Sequence, residues 1–440
     1  MAGKLKMIAA ALAAALLLSG CTMVTVDRMY SPPKRSAEYE DLQRAIDRAM
    51  SGMDYSSPLS GDNRQTVQMA DLNGDGTDEY LLFARDTSEK PMKVLIFSRN
   101  ADGCRLVDTI ESGGSDFDMV EYVNLDGKPG LELVVGCRVS QMLLRSVSVY
   151  SFEGDTAAQL FSVNYSKVVP VDLDSDSRSE LIVITSGESD EDNAVAVMYD
   201  YQEGEIRRSH EAPLSESSEH IKRIMVGKLH NGIPAVYVAA SVDYSAIITD
   251  VFALKSGRFA NISASSDSLT SVQTLRNHYV YADDIDDDGI LELPDLIDMV
   301  PMENAWTASN QKLIRWYAMT IDGGEEDKMY TFHNFDGGWY LQLDKFLISR
   351  ISVVRQDSSF VFYLWDENLQ NPQVLMTIYT QMGHDGEASD GSQGFYTLYE
   401  SEGIVYMVKT EAIATELGLL PEILAQSFHL IQMDWKNGET

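Results

Sequence analysis

Several things are scarce in this chain, and each scarcity excludes something. Cysteine occurs three times in 440 residues, at 21, 104 and 137. None of the three stands in a CxxC or other metal-ligand spacing, so neither a disulfide-dense scaffold nor a zinc site is indicated. Cys104 and Cys137 are left as one disulfide or as two buried thiols. No apolar run reaches eighteen residues, so no spanning helix is expected. Basic residues are few: 34 Lys and Arg stand against 68 Asp and Glu, a net charge of −34. Such a surface repels nucleic acid and anionic lipid heads and favours cations. The seven histidines are scattered, and no HExxH, GxSxG or Walker-type phosphate loop is present.

What is present begins with an address. Lys4 and Lys6 precede an apolar run from 7 to 18, the length of a signal-peptide core. Leu18-Ser19-Gly20-Cys21 follows. It resembles the lipobox of bacterial lipoproteins, which implies lipidation (as with palmitate) at Cys21. Residues 1–20 are then a lipoprotein signal peptide and 21–36 a tether marked by Pro32-Pro33. The expected location is the cell membrane, held by the N-terminal lipid, with the body on the extracytoplasmic side. Residues 37–52 form an amphipathic helix, with Leu42, Ile46 and Met50 on one face. It is expected to pack on the end of the domain that follows.

That domain is organised by one recurring loop. ADLNGDGTDEYLLFA places oxygens at alternate positions, Asp71, Asn73 and Asp75, with Glu79 at the ninth position. Asp172, Asp174, Asp176 and Glu180 repeat the spacing, and so do Asp284, Asp286, Asp288 and Glu292. A weaker copy has Asn124, Asp126 and Glu132, but Lys128 at the third oxygen position. A degenerate copy with Lys228, His230 and Gly232 fills the gap near residue 228. Five units of about 53 residues therefore run from 66 to about 343. Each reads as four short strands with no helical periodicity. An EF-hand is excluded, because its twelfth-position Glu would fall at Leu82 or Val183, inside a strand.

The residues DLNGDGTDEYLLF, DLDSDSRSELIVI and DIDDDGILEL resemble the FG-GAP/VCBS repeats that build calcium-bearing propellers in integrin alpha subunits and bacterial surface proteins. The resemblance implies an all-β fold: a β-propeller-like array of four-stranded blades, six or seven in number, with a short N-terminal helix and two short C-terminal helices. The blades occupy 53–343, and 344–440 is a further blade or a C-terminal α/β closing module. The resemblance also implies structural Ca2+ held by the ligand oxygens of positions one, three, five and nine, plus the carbonyl at seven, which belongs to Thr77, Arg178 and Ile290. Gly76 and Gly289 suit a turn position that needs positive φ, where the third loop has Ser177. In the second loop Lys128 is expected to place its ammonium at the ion's position, paired with Asp126 and Glu132.

No catalytic residue emerges from this reading. The expected function is a non-enzymatic binding or scaffolding module, monomeric, with an unknown protein or glycan ligand and no nucleic acid. The alternative is a surface hydrolase or lyase acting on glycans. The two differ in what the centre of the array should hold. A smooth, apolar or clogged centre suits the scaffold, whereas a central pocket with converging carboxylates or aromatics suits the enzyme.

Overall fold

The computed structural model describes residues 37–100, 103–139, 144–187, 192–242, 246–278, 280–302, 312–382, 394–401 and 403–431. The signal segment, the tether and Cys21 lie outside them. The fold is all-β, six successive antiparallel sheets of four or five strands with short helices at either end. The first sheet holds Asp54–Tyr55, Val67–Ala70, Glu79–Arg85, Met92–Asn100 and Gly103–Ser112. The second runs in chain order through Asp116–Val123, Glu132–Arg138, Arg145–Glu153 and Thr156–Tyr165. The third has Lys167–Val171, Glu180–Thr185, Val195–Gln202 and Glu205–Pro213, and the fourth Ile221–Lys228, Pro234–Val242, Ala246–Lys255 and Arg258–Asn261. The strands after the loops start at the residues the repeat indicated, and the degenerate unit has its strand at Pro234–Val242.

Alternation within each strand gives every sheet two apolar faces, and each face finds a neighbour. Leu81 and Phe83 pack against Phe117 and Val135 of the second sheet. Val134 and Val147 of the second meet Leu181 and Val183 of the third. Ile182 and Ile184 meet Val236 and Val238 of the fourth, and Tyr237 and Val251 meet Leu293 and Tyr317 of the fifth. Phe332 and Trp339 of the fifth sheet meet Phe360 and Phe362 of the sixth.

The two ends of this stack differ from a closed ring. The outer face of the first sheet, Leu82, Ala84, Leu95 and Phe97, is covered by Leu42, Ala45 and Ile46 of the helix Ala37–Ala49. Each large apolar side chain buried there contributes roughly 2 kcal/mol. The helix therefore takes the face that another blade would need. Among the described residues no hydrophobic cluster joins the sixth sheet to the first. The chain end also returns elsewhere: Phe428–Leu430 pairs with Trp339–Gln342 on the edge of the fifth sheet.

The fifth sheet begins at Glu292–Asp298, directly after its acidic loop, so it lacks the regular strand that precedes the loop in sheets one to three. One bridge, Asp283 to Glu292, marks where that strand would run. The sixth sheet departs from a simple meander, since Ile404–Thr410 lies between Gln373–Met382 and the edge strand Tyr396–Ser401. Helices Ala412–Glu416 and Pro421–Gln426 follow, and Ala414 and Leu424 close the core between the fifth and sixth sheets.

A second periodic feature accompanies the loops. A β-bulge precedes an aromatic residue at Ile96/Phe97, Val149/Tyr150, Met198/Tyr199 and Trp316/Tyr317. Each sits in the second strand after its loop, and each adds local twist between that strand and the next.

Candidate functional site

The acidic loops share a scaffold made by their ninth residue. The buried carboxylates of Glu79, Glu132, Glu180 and Glu292 each accept the backbone N–H of position two, from Leu72, Leu125, Leu173 and Ile285, at 3.0, 2.7, 2.8 and 3.2 Å. The donor residues are themselves buried apolar plugs, and Leu229 plugs the degenerate loop in the same way. The loops also brace one another. The position-eight N–H of Leu131, Ser179 and Leu291 donates to the position-one carbonyl of the preceding loop, at Asp71, Asn124 and Lys228.

The position-one carboxylate caps the turn. Asp71 accepts from Gly74 and Gly76, Asp172 from Asp176 and Ser177, and Asp284 from Asp288 and Gly289. That turn puts the sixth position in the left-handed region, with φ of 84° at Gly76, 71° at Ser177 and 82° at Gly289. The serine therefore takes the conformation that glycine takes in the other two loops.

Two loops gather carboxylates. Ligand oxygens of Asp172, Asp174 and Glu180 lie within 4.8 Å of one another, as do those of Asp284, Asp286 and Glu292. These two clusters can hold a metal ion. The fit is supported by an orphan: Glu292 is fully buried, yet its Oε1 has no hydrogen-bond partner. Burial pushes Glu180 up to about 7 and Glu292 up to about 8, with neighbouring aspartates adding to the rise. Position five carries a cation pair in these two loops. Asp176 is paired with Arg178 and Asp288 with Lys328, and these cations hold both carboxyls below the ordinary range. In the first loop Asn73 replaces the second acid and donates to Glu79 Oε1 at 3.0 Å.

The second loop corrects one expectation. The Lys128 ammonium does pair with Asp126, at 3.0 Å, but its other partner is Glu153, at 2.9 Å. Glu132 is turned inward to the Leu125 N–H, out of the lysine's way. Position six there is Pro129, whose ring fixes a negative φ. The metal-competent turn is therefore closed to this loop independently of Lys128.

A different site lies on the inner strands. A cavity of about 310 Å3 opens between the first strands of the second, third and fourth sheets, with Ser60 and Gly61 at its rim. Its lining includes Asp118, Glu121, Arg145, Tyr165, Lys167, Lys222 and Arg223. Asp118 is buried and fully engaged. It accepts the Tyr165 hydroxyl at 2.7 Å and Arg138 Nε at 3.1 Å, and it pairs with Arg145 Nε at 3.5 Å. Gly136 makes room for this arrangement, because a Cβ there would stand 2.2 Å from the Tyr165 hydroxyl oxygen. Burial, then the Asp118 charge, pushes the Tyr165 phenol well above its usual range. Desolvation, then the Arg145 charge, pushes Lys167 below the ordinary lysine value. Burial beside Asp62 raises Glu121. None of these residues carries a sequence motif. The signal was only that basic residues, Lys167, Lys222 and Arg223, stand on the first strands of the third and fourth sheets.

No protein-family model matches the chain, and no curated protein matches it. Among solved structures it is similar to the rhamnogalacturonan lyase YesW, at 12% identity and a TM-score of 0.32, over 68% of this chain and 57% of that one. It is also similar to the exotype rhamnogalacturonan lyase YesX, at 12% identity and a TM-score of 0.28, over 74% of this chain and 68% of that one. The chain thus spans 57% of the length of the first of these structures. The expectation of a non-enzymatic binding or scaffolding module is corrected on this finding, because both neighbours are named as glycan lyases. At such TM-scores the likeness assigns no residue and no activity. The functional reading therefore rests on the chain's own pocket.

Proposed function

We propose that this protein is a lipid-anchored surface enzyme acting on glycans, with its site in the cavity between the inner strands of the second, third and fourth sheets. The observation that carries the reading is the cavity itself. It is open, about 310 Å3, and lined by converging ionisable groups rather than filled by apolar side chains. Pockets of this size with a few placed polar groups are where small-molecule and polymer-end chemistry is done. Lys167, held below the ordinary lysine value, falls within it, as expected of a group tuned for proton transfer.

The acidic loops have a separate task in this reading. They are FG-GAP/VCBS-like calcium loops that stiffen the hairpins of a propeller-like array. Their donors are all oxygens, and calcium takes six to eight oxygens at about 2.3–2.6 Å without strict geometry. Each ion would offset the mutual repulsion of its buried carboxylates. Cys21, once lipidated, would tether the array to the membrane through the 21–36 segment, with the cavity facing outward.

The test is a panel of purified polysaccharides incubated with the protein, with and without calcium. New reducing ends and the ultraviolet absorbance of unsaturated sugars are both read. Product from at least one glycan, abolished by a bulky substitution such as Val169→Trp in the cavity wall, is expected. A panel without product in calcium, at a melting temperature showing the folded protein, would overturn the reading.

A further inference from the structure

The cavity has the opposite charge balance to the chain around it. Over the whole sequence acids outnumber bases by 68 to 34. In the cavity lining the count is four basic residues, Arg145, Lys167, Lys222 and Arg223, against two acidic ones, Asp118 and Glu121. The acids are also spoken for. Asp118 has three donors, and Glu121 accepts from the Asn63 amide at 3.2 Å. The side chains of Lys167 and Lys222, both exposed at the cavity, by contrast make no hydrogen bond or ion pair with any described residue. A chain with two acids for every base that leaves two lysines unpaired in one cavity has withheld counter-charges it has in abundance. Cations left open in a cavity suit an anionic ligand. Because fields beyond about 8 Å are largely screened at physiological salt, these local cations outweigh the distant negative charge for a bound group.

We propose that the cavity takes a carboxylated sugar unit of an acidic polysaccharide, and that Lys167 is the base that opens the glycosidic bond by elimination. This rests on the glycan reading above. Arg145, Lys222 and Arg223 hold the sugar carboxylate, which makes the proton on the adjoining carbon more acidic. The neutral amine of Lys167 takes that proton. The electron pair left behind forms a carbon–carbon double bond as the neighbouring carbon–oxygen bond to the next sugar breaks. The departing oxygen takes a proton from water, and the lysine returns its own to solvent. No oxidant or reductant is needed. Desolvation and the Arg145 charge favour the neutral amine this step requires. The charged groups around it are Arg145, Asp118, Tyr165, Glu121, Lys222 and Arg223.

Hydrolysis fits the same cavity less well. It takes a pair of carboxyl groups facing the bond, one of them able to hold and donate a proton. Asp118 is held by Arg138, Arg145 and Tyr165, and the lining offers one other carboxyl group, Glu121.

The experiment uses the full chain in calcium with polygalacturonate and with the same polymer after its carboxylates are reduced to alcohols. The acidic polymer is expected to give ultraviolet-absorbing product and the reduced polymer none. Lys167→Gln is expected to lower kcat about a hundredfold or more while binding, followed by calorimetry, persists. Lys167→Arg, which keeps the charge but cannot become neutral, is expected to be equally inactive, and Lys222→Ala to raise KM about tenfold. Wild-type kcat should rise with pH as the lysine loses its proton. Equal cleavage of both polymers would overturn the anion assignment and leave the glycan reading standing. Reducing ends without ultraviolet absorbance, or an active Lys167→Arg, would overturn the base. Absence of binding and of cleavage across all glycans would bring down the reading beneath them both.

Discussion

Glu292 and Ile285 are joined by one hydrogen bond, from the Ile285 backbone N–H to Glu292 Oε2 at 3.2 Å, while Glu292 Oε1 lies buried with no partner. A carboxylate half-satisfied in this way and pushed up to about 8 is held by the fold in a form that prefers a proton or a cation.

Chelation experiments follow from that. Without metal, folding raises Glu180 to about 7 and Glu292 to about 8 from an ordinary 4.5, so the folded chain binds protons the unfolded chain releases. The associated stability is full below the unfolded-state value and is lost as pH rises through about 7 and about 8. The chelated protein is therefore expected to melt at lower temperature as pH is raised across that window. Calcium should remove the slope, because the ion replaces the protons and releases them on binding. At about a hundredfold excess over Kd one site adds about 2.7 kcal/mol. Differential scanning fluorimetry across pH, with chelator and with calcium, reads both effects. Superimposable curves would show that the loops bind nothing.

Ser177 offers a test of the turn alone. It sits at φ 71°, where glycine stands in the first and fifth loops. A residue with a Cβ pays roughly 1–2 kcal/mol for that conformation. Ser177→Gly is expected to raise stability by up to about 1 kcal/mol, since glycine also gains freedom in the unfolded chain. Chemical denaturation in the presence of chelator isolates the backbone effect from any change at the metal.

How much of this was readable beforehand differs by feature. The four-strand unit of sheets two to four was legible because loop and strand recur at one spacing, whereas the extra strand Asp54–Tyr55 of the first sheet was not, and the helix Ala37–Ala49 was legible from Leu42 and Ile46. The end of the array was not, since the side chains that cover the outer face of the first sheet look like any amphipathic helix until its partner is known. Gly76 and Gly289 announced the turn, and Ser177 concealed it. Pro129 was visible and decisive, yet the eye went to Lys128. The cavity was the least legible. Asp118, Tyr165 and Lys167 lie on strands without a motif, and only sheet packing brings residues 47 apart in sequence to 2.7 Å.

The second loop can be used to ask what the metal turn requires. Lys128 occupies the third oxygen position, and Pro129 blocks the left-handed sixth position. Lys128→Asp alone is expected to add no ion, because the turn still cannot form and the new carboxylate faces Asp126 and Glu153 without a counter-charge. Lys128→Asp combined with Pro129→Gly supplies both oxygen and turn, and is expected to bind one more calcium per chain than the unaltered protein. Native mass spectrometry counts the ions. A gain in the single variant would show that the backbone at this position is not limiting.

Gly136 ties the fold to the cavity most directly. It has no catalytic group, yet a Cβ at this position would fall 2.2 Å from the Tyr165 hydroxyl oxygen and 2.9 Å from Met119 Cγ. Gly136→Ala must therefore move the phenol off Asp118, which leaves a buried carboxylate short of its 2.7 Å donor. Overpacking of this kind costs about 1–3 kcal/mol. Asp118 would then draw Arg145 closer and away from the cavity, lowering the number of cations available to an anionic ligand. The expected result is a modest fall in melting temperature together with weaker binding of polygalacturonate. Tyr165→Phe removes the same hydrogen bond without the clash. It should reproduce the loss of binding with a smaller fall in melting temperature. If Tyr165→Phe binds the polymer as the unaltered protein does, Tyr165 serves packing alone and the Asp118 network does not govern the cavity.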